Sequence, residues 1–118
     1  MRQIKFRAWD IEEKKWIYLG MSSMLAISDD GHLRQFYPTE QGHGHKEYPR
    51  PYVLMQYTGL HDKNGKEIYE GDILDGVFAP GPEAVTFEYG RFSTKSGFDL
   101  AKAMVIGNIY ENPELLNV

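Results

Sequence analysis

Cysteine does not occur in this chain of 118 residues. A disulfide framework, a thiolate nucleophile and a cysteine-based zinc site are therefore all excluded. Long apolar runs are missing as well, and no segment approaches the roughly 18 apolar residues that span a bilayer. The opening Met1-Arg2-Gln3-Ile4-Lys5 lacks the apolar stretch that directs secretion, so a cytoplasmic protein without membrane contact is expected. No amphipathic helical pattern of useful length appears, and no internal repeat is visible. Net charge is only −4, which argues on bulk electrostatics against a dedicated nucleic-acid binder. No serine sits in a Gly-x-Ser-x-Gly elbow, and no glycine-rich phosphate loop precedes a helix. The expectation is a protein that is not an enzyme and holds no cofactor.

What is present reads as one globular domain over residues 1–118. Apolar residues make up 42% and charged residues 25%, close to ordinary globular values. Aromatics reach 14%, with eight tyrosines among them, an enrichment that suits pleated surfaces. Charge is unevenly spread. Residues 1–16 carry five basic and three acidic groups, whereas residues 67–118 carry three basic and nine acidic ones.

The local pattern is that of short strands. Ile4, Phe6 and Ala8 alternate with Lys5, Arg7 and Trp9, and Lys15 to Leu19 resumes after a polar turn. Met24–Ser28 and His32–Tyr37 flank Asp29-Asp30-Gly31, a β-hairpin signature. Pro38, Gly42, Gly44, Pro49 and Pro51 mark residues 38–51 as a mobile loop open to proteolytic nicking. Tyr52–Gln56 is a strand buried on both faces, and Asp62-Lys63-Asn64-Gly65-Lys66 a second turn. Val85, Phe87 and Tyr89 alternate before Gly90 turns the chain into Arg91-Phe92. Residues 103–110 are apolar on both faces and predict a central strand. Asn112-Pro113-Glu114 opens a short C-terminal helical turn. The fold class expected is mainly β, a small closed or partly open β-barrel with SH3-like elements.

Three blocks carry a family resemblance. They are Ile4 to Asp10, Leu54 to Ile73 (with Gln56-Tyr57-Thr58-Gly59-Leu60 and Tyr69-Glu70-Gly71-Asp72), and Val105 to Leu116 (with Ile106-Gly107-Asn108-Ile109). In content and order they resemble the YopX-like family. The resemblance implies a mostly β protein of bacteriophages and prophages, and it supplies no active site to carry over. Trp9, Tyr57, Thr58, Gly59, Gly71, Asp72, Gly107 and Asn108 are motif residues to which it assigns no role.

Four constellations were candidates for chemistry. Lys5, Arg7 and Trp9 share a strand face with Lys15 and Trp16 nearby, a basic and aromatic strip of the kind that binds single-stranded nucleic acid. His43 and His45, at i and i+2, would share a strand face and could chelate a metal, but their glycine neighbours make a pre-organised site poor and no metal is expected. Asp62-x-Asn64-Gly65 fails as a calcium loop, because glycine falls at the fourth position rather than the sixth. His61 and Asp62 are adjacent in an extended chain and point to opposite faces. The partners expected are another copy of the chain in a homo-oligomer and a phage or host protein, with nucleic acid as the alternative. In the homo-oligomer, exposed strand edges and aromatics such as Trp9 or Trp16 would be covered.

Overall fold

The computed structural model describes residues 3–20 and 23–116. Backbone contacts group the chain into two compact units, one of residues 7–54 and one of residues 1–6 with 55–118.

In the 7–54 unit, β1 (Phe6–Asp10) and β2 (Lys15–Ile17) form an antiparallel hairpin that places Trp9 opposite Trp16. A three-stranded meander follows, β3 (Leu25–Ile27), β4 (Leu33–Thr39) and β5 (Gly42–Glu47), with β4 in the centre. The Asp-Gly turn expected between β3 and β4 is present, Gly31 N–H donating to Ser28 O at 2.9 Å. Ala8, Ile17 and Leu33 form the buried core of this unit, flanked by Leu19, Leu25, Ile27, Tyr48, Tyr52 and Leu54.

Residues 38–51 are not the loop that their proline and glycine content predicts, because β5 occupies 42–47 and pairs with β4 over six residues. The glycines permit this instead of preventing it. The Tyr37 ring lies across Gly44, where a Cβ would come within 2.4 Å of it. Pro38 falls beyond Gln35, the last β4 residue in register with a described β3 residue, so its missing N–H interrupts none of the described β3–β4 pairs.

The second unit takes up the chain within β6 (Tyr52–His61), which pairs with β7 (Glu67–Tyr69) across a bulge between Tyr57 and His61. Next come β8 (Asp72–Asp75), β9 (Glu83–Ala84), β10 (Thr86–Glu88), β11 (Arg91–Ser93) and β12 (Met104–Asn108). A three-stranded sheet runs β12-β8-β9, and β10 and β11 form a two-stranded hairpin. Ile68, Leu74, Val77, Val85, Leu100 and Ala103 are its core, with Phe92 and Val105 packed against them.

Here β12 is an edge strand and not the central one expected. The C-terminal 3-10 turn, Pro113–Leu116, lies beside it, with the Leu115 side chain against Gly107. The fold is mainly β, as the strand pattern indicated. No sheet built from the described strands closes on itself, so the closed form of the expected barrel is not formed.

Candidate functional site

The motif residues of the second and third blocks shape backbone. Thr58 Oγ1 donates to Ile68 O at 2.8 Å and accepts from Leu60 N–H at 3.1 Å, holding both sides of the bulge that contains Gly59. Asp72, 2% exposed, accepts from Tyr69 N–H at 2.7 Å. At Gly71 a Cβ would approach Met55 Sδ to 3.1 Å. Asn108 Oδ1 accepts from the N–H groups of Tyr110 and Glu111, while Asn112 Oδ1 accepts from Asn108 N–H beside Gly107. Tyr57 is buried, its ring 5.4 Å from that of Tyr69.

Asp62, in the same block, joins two segments through its carboxylate. Its Oδ1 accepts from Asn64 and Lys66 N–H at 2.9 and 2.8 Å, and its Oδ2 from Val105 N–H at 2.9 Å. Burial pushes its pKa up, but the N–H donors of Val105, Lys66 and Asn64 outweigh that and hold it below the usual value. One carboxylate thus closes the 62–66 turn and ties it to β12. Sequence reasoning read the turn but not this tie, which joins residues 43 positions apart.

The basic strip is only partly assembled. Lys5 Nζ is engaged by Glu67 at 2.5 Å and lies 5.0 Å from the Tyr57 ring centroid, and the Glu67 bond raises the lysine's pKa. Arg7 stacks 4.6 Å over Trp16, and Trp16 meets Trp9 edge-on at 4.9 Å. Trp9 is 6% exposed and Trp16 38%, so only the second ring has a face to offer. Lys15 is exposed, in register with Asp10. Asp10 itself is fully buried and accepts from Glu13 N–H, Tyr48 Oη and Arg50 Nε, at 2.6–2.7 Å. Burial opposes its ionisation, yet these donors hold its pKa far below the carboxylate range. The sequence offered no sign of this network, because Tyr48 and Arg50 lie in the stretch that reads as loop.

His43 and His45 do share a face of β5, opposite Pro38 and Phe36. The His45 ring packs 5.8 Å from Phe36. No group of three metal-ligating side chains occurs among the described residues.

Two apolar features were given no role by the sequence reading. The first is the tip of the β10–β11 hairpin. Phe87 faces Phe92 with ring centroids 4.8 Å apart, and Tyr89 and Gly90 form the two-residue turn. Tyr89 is 99% exposed with φ +53°, followed by Gly90 at +78°. A left-handed conformation costs a tyrosine about 1 kcal/mol, and asparagine or glycine is the ordinary occupant. The turn at Gly90 is where the sequence reading put it, but the alternation Val85, Phe87, Tyr89 assigned Tyr89 to the strand instead of the turn. The second feature is a cleft of about 520 Å³ in the 7–54 unit, lined among the described residues by Gly20, Met24, Leu25, Ala26, Phe36 and His43. Met24 is also left-handed, at φ +59°.

No helix among the described residues is long and apolar enough to cross a membrane. Comparison with known proteins gives a consistent result. The family profile described as YopX protein matches residues 5–117. The crystal structure of protein EF1440 from Enterococcus faecalis is 32% identical, with 98% of this chain and 99% of that one covered at a TM-score of 0.60. The structure of yopX from Bacillus subtilis shares the fold at 23% identity, a TM-score of 0.58 and 98% coverage of both chains. No curated protein matches the chain, and neither structure's description names an activity, ligand or partner. With the profile match spanning nearly all of it, the chain belongs to the YopX family.

Proposed function

We propose that the chain is a non-enzymatic accessory protein of phage or prophage origin that acts in the cytoplasm through protein–protein contact and associates with copies of itself. Tyr89 carries this reading. It is fully exposed at the end of a hairpin, in a backbone conformation that disfavours it, beside the half-exposed Phe87. Contiguous exposed apolar surface marks contact sites, and Tyr89 and Phe87 lie exposed on the same hairpin. The buried carboxylates give little support to an enzyme. Asp10, Asp62 and Asp72 are each taken up by backbone or side-chain donors of the fold. A phage or host protein as a further partner belongs to the same reading. Sedimentation velocity at micromolar concentration tests it: species larger than 13.6 kDa are expected, and a clean monomer would overturn the reading.

Nucleic-acid binding through Lys5, Arg7, Trp9 and Lys15 is the second reading, favoured by the cation–ring pairs Arg7–Trp16 and Lys5–Tyr57. It carries less weight because Trp9 is buried and Lys5 is engaged by Glu67. Labelled single-stranded DNA and RNA titrated at low salt decide it. Binding that weakens steeply with added salt would support it, and no binding would remove it.

A further inference from the structure

We infer that the hairpin tip of one copy docks in the apolar cleft of a second, with the Tyr89 ring against Met24 and Phe36 and its hydroxyl at His43. This rests on the self-association proposed above and specifies its geometry.

Three observations converge. The cleft's volume of about 520 Å³ lies in the range of pockets that enclose aromatic ligands. Its described walls are apolar except for the His43 imidazole. A buried phenol needs that combination, since its ring wants apolar cover and its O–H a polar partner. A thioether wall suits an aromatic occupant, because sulfur–ring contacts are favourable and methionine adapts its shape. Finally, Tyr89 and Met24 are two of the three non-glycine residues with positive φ among those described. Strained backbone of this kind gathers at functional positions, and here it falls on the proposed donor and the proposed acceptor.

Donor and acceptor are different surfaces, so the contact is head-to-tail. Repeated, it closes into a ring or continues as a filament. Two variants test it by complementation. Tyr89→Asn removes the ring and places at the tip a residue that accepts the left-handed conformation. Ala26→Glu puts a carboxylate into the cleft from an exposed position of β3. Each variant alone should sediment as a monomer. Their equimolar mixture should form a dimer and nothing larger, because it contains one intact tip and one intact cleft per pair. Tyr89→Asn should also melt about 3 °C higher than wild type when both are dilute enough to be monomeric, reflecting the relieved backbone. Assembly of Tyr89→Asn to wild-type size, or a mixture that stays monomeric while wild type assembles, overturns this inference and leaves self-association standing. A monomeric wild type overturns both.

Discussion

Two turns of similar length are built to opposite ends. The turn at Asp62–Lys66 is closed by its own carboxylate, carries glycine at its left-handed position and anchors to β12 through Val105. The turn at Glu88–Arg91 has no side chain closing it, places a tyrosine where asparagine belongs and leads nowhere but outward. The first is optimised for stability. The second carries a left-handed tyrosine at a cost in stability, a pattern found where a residue serves something beyond its own fold. The turn inside the second resembling block fixes architecture, while the tip lies outside all three blocks. On the proposed reading, architecture and contact chemistry are written in different parts of the chain.

The comparison can be broken most forcefully at Asp62. Asp62→Ala removes an ionised acceptor of three N–H groups and strands the one from Val105, at a cost of about 3 kcal/mol. Urea denaturation measures it, and a loss below about 1 kcal/mol would show the turn holding itself without its carboxylate. Acid sharpens the point. Asp62 is depressed in the folded protein, so its contribution is complete above the unfolded-state value of about 4 and is lost as pH falls below it. Wild-type melting temperature should drop from pH 5 to pH 2 more steeply than that of Asp62→Ala, which has already lost the contribution. Parallel profiles would assign acid sensitivity elsewhere, Asp10 being the first candidate. The smallest effect is a matched pair. Gly65 and Gly90 have φ +86° and +78°, and a Cβ at either meets nothing within 4 Å. Gly65→Ala and Gly90→Ala should each cost about 1 kcal/mol. Equal losses would place the difference between the turns in their side chains, and unequal ones in their backbones.

Legibility in the sequence followed the range of the interaction. The hairpin at Asp29-Asp30-Gly31, the turn at Asn64-Gly65 and the Asn112-Pro113 turn depend on a few adjacent residues, and all three are where local chemistry puts them. What depended on remote partners was misread. β5 forms because β4 is there to pair with, and Gly44 makes room for the Tyr37 ring of that partner. β12 lies at a sheet edge with the C-terminal turn beside its Gly107, which periodicity cannot tell from a second strand. At the site level, the strip of Lys5, Arg7 and Trp9 was read from alternation alone. Alternation does not reveal that Trp9 turns inward or that Glu67 meets Lys5 from 62 residues away. The turn at Gly90 was legible, but the exposure of Tyr89 and the cleft were not, since each is defined by what fails to cover it.

The edge-on Trp9–Trp16 pair has a consequence for observing the molecule. These are the chain's two tryptophans, and both belong to the 7–54 unit. Indole fluorescence therefore reports on that unit alone, whereas calorimetry registers heat from the whole chain. If the two units unfold as one, the optical and thermal transitions coincide. If they do not, the chain carries a label-free emission signal that follows one half and is silent about the other.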